Sequence, residues 1–148
     1  MSIRVAHAAD IDAWVNLRAR LWPDTSLQEH RAEAQAMLDA PAGTCVTFLH
    51  DVAGIGPRGF AEATLRQDHV NGCDTSPVAF LEGIYVHDQD RGTGVGRGLL
   101  RAVRTWALDR GCSELGSDAH LDNVASHAFH RAVGFEETER VVFFRQRL

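Results

Sequence analysis

Apolar positions recur along the chain in two rhythms. Ile11, Trp14, Leu17 and Leu21 fall at the three-to-four spacing of one helix face, and Asp10 stands where it can cap that helix. Pro23 holds Trp22 out of the α region and ends it. SLQE (26–29) has the capping-box form and opens a second helix, which Pro41 breaks. TCVTFLHDV (44–52) and RGFAEATLR (58–66) read as strands joined by the turn AGIGP. After the polar loop QDHVNGCDTSP, VAFLEGIYV (78–86) is a strand apolar on both faces, hence central. GRGLLRAVRTWALDRG (96–111) reads as a helix closed by Gly111, CSELGSD (112–118) as a short strand, and DNVASHAFHRAVG (122–134) as a helix ending at Gly134. FEETERVVFFRQRL (135–148) supplies one or two closing strands. The order β-α-α-β-β-β-α-β-α-β-β predicts one mixed α/β domain over residues 1–148, without repeat or linker.

Composition narrows the class. The 148 residues carry 20 acidic and 15 basic side chains, a net charge of −5, which argues against nucleic acid and favours a cationic small molecule. No stretch approaches a membrane span, and no N-terminal signal segment is expected. The three cysteines, Cys45, Cys73 and Cys112, form no C-x-x-C pair and fit a reducing cytoplasm. His127 and His130 share a helix face but lack H-E-x-x-H spacing, so no metal is expected.

The strongest chemical signal is GIYVHDQDRGTGVGRGLLRAV (83–103), where Gly92, Gly94, Gly96 and Gly98 fall between a strand and a helix. Free amides and the positive end of the helix dipole converge there, which is anion-binding geometry. A P-loop is excluded because Gly96-Arg97-Gly98 replaces Gly-Lys-Ser/Thr. A dinucleotide fingerprint is excluded by spacing and by its place late in the chain.

Arg91-Gly92-Thr93-Gly94-Val95-Gly96 resembles the R/Q-x-x-G-x-G/A signature of the GNAT N-acetyltransferases, and NVASHAFHRAVGF (123–135) is similar to that family's late helix with its Gly-Phe step. The resemblance implies the GNAT fold, a central mixed, mostly antiparallel sheet flanked by helices, with acetyl-CoA as co-substrate. It implies that the strand residues Ile84, Tyr85 and Val86 run beside the pantetheine. The amides of Arg91, Gly92, Thr93, Gly94, Val95, Gly96 and Arg97 would hold the pyrophosphate, with Asn123 near the pantetheine arm. Arg101 and Arg104 continue the basic face of Arg97, as a phosphate contact or a solvated face.

A narrower resemblance, carried by LRARLWPD (17–24), residues 68–86 and GFEETERVVFFR (134–145), is to the chromosomal type of aminoglycoside 6′-N-acetyltransferase. It implies substrate contacts at Trp22, His69, Glu82, Asp118 and Glu139, with His69 standing where the family carries an aromatic ring. A polycationic acceptor needs carboxylates, and Asp74 and Glu136 extend that set. Glu82, flanked by apolar residues, is the candidate proton acceptor, since a buried carboxylate without a role is costly. The backbone N–H of Val86 would polarise the thioester oxygen. Many relatives place a Tyr four residues before the Gly-Phe step, where His130 stands. His130 as acid and unaided thiolate departure both remain open. A polyamine or other small amine as acceptor, and a CoA-binding module without turnover, are the competing readings. The apolar VVFF (141–144) either pairs across the boundary of an expected homodimer or forms an internal strand.

Overall fold

The computed structural model describes residues 2–148. The chain orders as β1 (Ser2–Val5), α1 (Ile11–Leu21), α2 (Leu27–Asp39), β2 (Cys45–Val52), β3 (Gly56–Arg66), β4 (Val78–Val86), α3 (Val95–Asp109), β5 (Leu115–Ser117) and α4 (Val124–Ala132), with short 3-10 turns at Ala8–Asp10 and Asp88–Asp90. The strands form one sheet in sequence order. β1 to β4 are antiparallel and β4 pairs parallel with β5, the mixed, mostly antiparallel sheet expected.

Strand alternation sends residues to two faces. Val46, Ala61, Ala63, Ala79 and Leu81 meet the apolar stripe of α3, in which Leu99, Leu100, Val103 and Trp106 are buried. Leu49, Phe60 and Tyr85 point the other way and pack on Trp14, Val15 and Leu17 of α1. Each fully buried Leu or Val side chain contributes about 1.5–3 kcal/mol through area removed from water. The sheet is thus covered on both faces, and β4 lies between β3 and β5 as its apolar run predicts.

A bulge interrupts this alternation beside Glu82. Ala63 opposes Leu81 while Glu62 opposes Gly83, so β4 carries one extra residue at Glu82. Leu81 remains in the α3 core, whereas Glu82 reaches Thr64 and Gly83 abuts Trp22 on the α1 side. A bulge re-aims a side chain in this way.

One local expectation is corrected and another holds. Asp10 precedes α1, but its carboxylate makes no capping bond. It accepts instead from both Arg4 Nη atoms, at 2.8 Å each, and from the His7 amide at 2.9 Å. A guanidinium outbids the helix amides for a carboxylate. By contrast, Ser26 Oγ does accept from the Glu29 amide at 3.1 Å and opens α2.

The closing strand or strands expected in residues 135–148 are not formed. The segment carries no regular structure and joins no sheet pairing. Val141, Val142, Phe143 and Phe144 are 52%, 76%, 88% and 92% exposed. A strand needs a ladder partner to satisfy its backbone, and among the described residues this arm pairs with no strand.

Candidate active site

On the α1–α2 side of the sheet, an open cavity of about 400 Å³ is lined by Arg18, Trp22, Thr25, His30, Glu33, Met37, Glu62 and Glu82. Glu82 Oε1 accepts from Thr64 Oγ1 at 2.7 Å and from Arg66 Nη2 at 2.8 Å. Trp22 closes α1 and forms a wall, with its ring edge-on to Phe60 at 6.1 Å and stacked on His30 at 6.3 Å. Trp22 therefore serves the core and the cavity together.

The cavity floor is a polar network that sequence reading missed. Glu62 Oε1 accepts from Trp14 Nε1 at 2.8 Å and is paired with Arg18, which also pairs with Glu33 and donates to His30 Nδ1 at 3.3 Å. Only 3–4% of Arg18 and Glu62 is exposed, so each is compensated inside the protein rather than by water. Burial pushes the Glu62 carboxyl above its ordinary value, against the opposing pull of Arg18 and Trp14. The flanking Ala61 and Ala63 are the signal that could have found Glu62, by the same reasoning applied to Glu82.

The strand expected to run beside the thioester is β4. β5 covers only Ala79, Phe80 and Leu81, so the outer edge of β4 is unpaired from Glu82 onward. The His87 amide donates to Arg58 O on β3, at 2.8 Å. Alternation therefore turns the backbone groups of Ile84 and Val86 to the open edge, while Tyr85 pairs toward β3. That edge can pair with an amide-bearing arm such as pantetheine. Val86 O already accepts from Arg91 Nε at 2.9 Å.

The glycine loop follows directly. Gly92 and Gly94 have φ of +75° and +92°, and Gly94 is the N-cap of α3. The first α3 bond is donated by Gly98 to Gly94 O, at 3.0 Å, leaving the amides of Val95, Gly96 and Arg97 ahead of the helical ladder. A Cβ on Gly92 would meet nothing within 4 Å, so the loop faces open space that a pyrophosphate can occupy. Thr93 Oγ1 braces the loop on Asp90 O at 2.5 Å, and Arg97 Nη2 donates to Ala132 O at 2.8 Å, tying α3 to the end of α4.

α4 brings two further candidates near this edge. Asn123 Oδ1 caps α4 by accepting from the Ser126 amide at 3.1 Å, which leaves its NH2 free. His130 Nδ1 lies 2.7 Å from Ser126 O and Nε2 lies 2.8 Å from Ser117 Oγ. The carbonyl can only accept, so Nδ1 carries the proton and Nε2 accepts from the serine. Ser117 opposes Leu81 at the point where β4 and β5 part.

The other predicted substrate contacts do not line the cavity. His69 and Asp74 are exposed on the loop after β3, Asp118 is exposed just beyond β5, and Glu136 and Glu139 are exposed on the C-terminal arm. The arm begins against the loop, where Thr138 abuts Gly72. Among the described residues no group of three or more His, Cys, Asp or Glu is arranged to hold a metal.

Comparison with known proteins agrees with this geometry. The profile of the acetyltransferase (GNAT) family matches residues 11–135. The aminoglycoside N(6′)-acetyltransferase type 1 of Stenotrophomonas maltophilia is 51% identical over 149 residues, covering 99% of this chain and 94% of the relative. The protein of the same name from Salmonella typhimurium is 43% identical, with 99% of both covered. Among solved structures, AAC(6′)-Iy in complex with the bisubstrate analogue CoA-S-monomethyl-acetylneamine superposes with a TM-score of 0.91 at 41% identity, covering 99% of this chain and 98% of that one. The open β4 edge, the glycine loop at the head of α3 and these full-length likenesses have one reading: the chain belongs to the GNAT acetyltransferase family.

Proposed function

We propose that this protein is an aminoglycoside 6′-N-acetyltransferase, moving acetyl from acetyl-CoA to the 6′-amine of aminoglycoside antibiotics and so conferring resistance. The observation that carries the reading is the placement of Glu82 and Trp22 on one cavity beside the open β4 edge. A cationic sugar and a thioester can meet there. The full-length identity to enzymes of that name narrows the acceptor, which the fold alone does not choose.

The acceptor reaches the site as an ammonium, with a pKa of about 10 like that of lysine, and must lose a proton before it attacks. Glu82 holds the ammonium and receives that proton, directly or through water. The amine nitrogen then bonds to the thioester carbon, with the carbonyl oxygen stabilised by the Val86 N–H. The nitrogen gives up its second proton to solvent as the C–S bond breaks, and the thiolate leaves and takes up a proton to become the free thiol. His130 stands beside the β4–β5 opening. As that acid it must first be protonated at Nε2, the atom now accepting from Ser117. The amides of residues 91–97 position the pyrophosphate, and Asn123 the pantetheine arm.

The remaining acidic groups, Asp74, Asp118, Glu136 and Glu139, together with His69, orient other parts of the polycation. The exposed arm supports a homodimer in which Val141–Phe144 pairs with a second copy and carries Glu136 and Glu139 to a completed site. The cytoplasm is the compartment that fits acetyl-CoA use and three unpaired cysteines. No helix is long and apolar enough to cross a membrane among the described residues.

Thiol release from acetyl-CoA, compared between neomycin and paromomycin, tests the reading. These carry an amine and a hydroxyl, respectively, at the 6′ position. Turnover with neomycin alone is expected. Equal turnover with both would move the reaction to another amine, and turnover only with polyamines would replace the acceptor class.

A further inference from the structure

The cavity gathers three carboxylates, Glu33, Glu62 and Glu82, and the protein supplies its own cation to each. Arg18 serves the first two and Arg66 the third. The two arginines are held very differently. The Arg18 side chain is 4% exposed, is pinned by Glu33, Glu62 and His30, and lies 4.9 Å over the Trp22 ring. The Arg66 side chain is 41% exposed, has Glu82 as its carboxylate partner, and rests 3.7 Å over the face of Phe80.

We infer that Arg66 is an exchangeable counter-ion of Glu82, which the substrate's ammonium must displace, and that it thereby sets how tightly the site takes polycations. This rests on the reading of Glu82 as the ammonium anchor. Glu82 Oε1 has two donors in the resting site, the Thr64 hydroxyl and the Arg66 guanidinium. The hydroxyl belongs to the neighbouring strand and stays as the substrate binds. The guanidinium stands at the last residue of β3, where the chain runs out into the polar loop, and its partial exposure lets it move to water. An ammonium brings three donors, to the place Arg66 leaves on Oε1 and to Oε2. While Arg66 is paired, it competes for Glu82 at high effective concentration and adds a positive charge that repels the incoming amine.

The competition has a defined kinetic signature. Removing the guanidinium frees Glu82 before the substrate arrives, so ground-state binding strengthens while the chemical step is unaltered. A part-exposed ion pair implies an effect of about two- to fivefold. Arg18 shows no such exchange, because its removal leaves Glu62 uncompensated in the interior.

The test is steady-state kinetics of Arg66→Met, Arg66→Gln, Arg66→Lys, Glu82→Gln and the double variant Arg66→Met/Glu82→Gln, with neomycin and acetyl-CoA. Circular dichroism melts check that each variant folds. Arg66→Met and Arg66→Gln should each lower the neomycin KM about two- to fivefold with kcat within about twofold, and Arg66→Lys should stay near the parent. In the Glu82→Gln background the Arg66→Met effect should vanish. A neomycin KM that is unchanged or raised in both neutral variants overturns the inference, since the guanidinium then either does not compete or itself holds substrate. An Arg66→Met effect that persists without the Glu82 charge overturns it as well. A Glu82→Gln KM equal to that of the parent would overturn the anchor reading and this inference with it. A raised Glu82→Gln KM together with no Arg66→Met effect in the parent background overturns this inference alone.

Discussion

Gly83 and Trp22 meet across the sheet and α1 so closely that a Cβ on Gly83 would lie 2.5 Å from both Cη2 and Cζ2 of the indole. The cavity wall is therefore seated on backbone, and its position depends on the absence of one methyl group. The β4 bulge turns Gly83 to this side, next to Glu82, so one distortion of the strand sets both the carboxylate and the aromatic wall.

Gly83→Ala tests that dependence. The added methyl displaces the ring from its place between Phe60 and His30, and overpacking of this kind costs about 1–3 kcal/mol. A lower Tm and a raised aminoglycoside KM are expected, with the acetyl-CoA KM little changed. An unchanged Tm would show that the indole yields freely.

Glu62→Ala should be more damaging to stability than to substrate binding. It strands Arg18 and the Trp14 N–H in the interior, and breaking a buried ion pair costs about 3–5 kcal/mol. Glu33 still pairs with Arg18, which favours the lower end. Denaturant melts of the parent and variant measure the difference.

Asp10 contributes a pH-dependent term. The Arg4 guanidinium, ahead of all other causes, holds its carboxyl at about 2 against an ordinary 3.8. The folded value is the lower one, so its stabilisation is fully present above the unfolded pKa of 3.8 and is lost as pH falls through about 2. Asp10→Asn should cost about 2 kcal/mol near pH 6, and the gap to the parent should shrink between about pH 4 and pH 2. A gap constant across that window would assign the role to packing alone.

Phe143→Asp/Phe144→Asp addresses the arm. If these exposed rings close a strand against a second copy, burying charge there prevents pairing. Sedimentation should find a dimer for the parent and a monomer for the variant, with a weaker hold on the aminoglycoside. A monomeric parent would remove the exchanged-arm reading.

The elements were legible in the sequence because their signals are local. The Ser26 cap, the apolar runs of β2 and β3 on either side of the AGIGP turn, the stripe of α3 and the glycine loop at its head each follow from neighbours a few positions apart. Glu82 stood out for the same reason, as an acid inside an apolar run, but the burial expected of it is not found, since its side chain is 31% exposed and paired with Arg66. Glu62 carries the same local signal, but its pairing with Trp14 and Arg18, 48 and 44 positions away, is not legible there. Nor could Asp10 be told from an ordinary cap while Arg4 and Asp51 stood apart.

By itself, then, the sequence determined the order of elements through α4 and the anion-binding loop, both of which rest on short-range backbone geometry and side-chain period, while the acetyltransferase class came from the loop's resemblance to the GNAT signature. Tertiary structure alone decided that Arg66 sits on Glu82, that Trp22 leans on Gly83, and that residues 135–148 lie outside the sheet. Those outcomes depend on which distant groups compete for the same carboxylate, face or ladder. That competition is resolved only when the strands come into register.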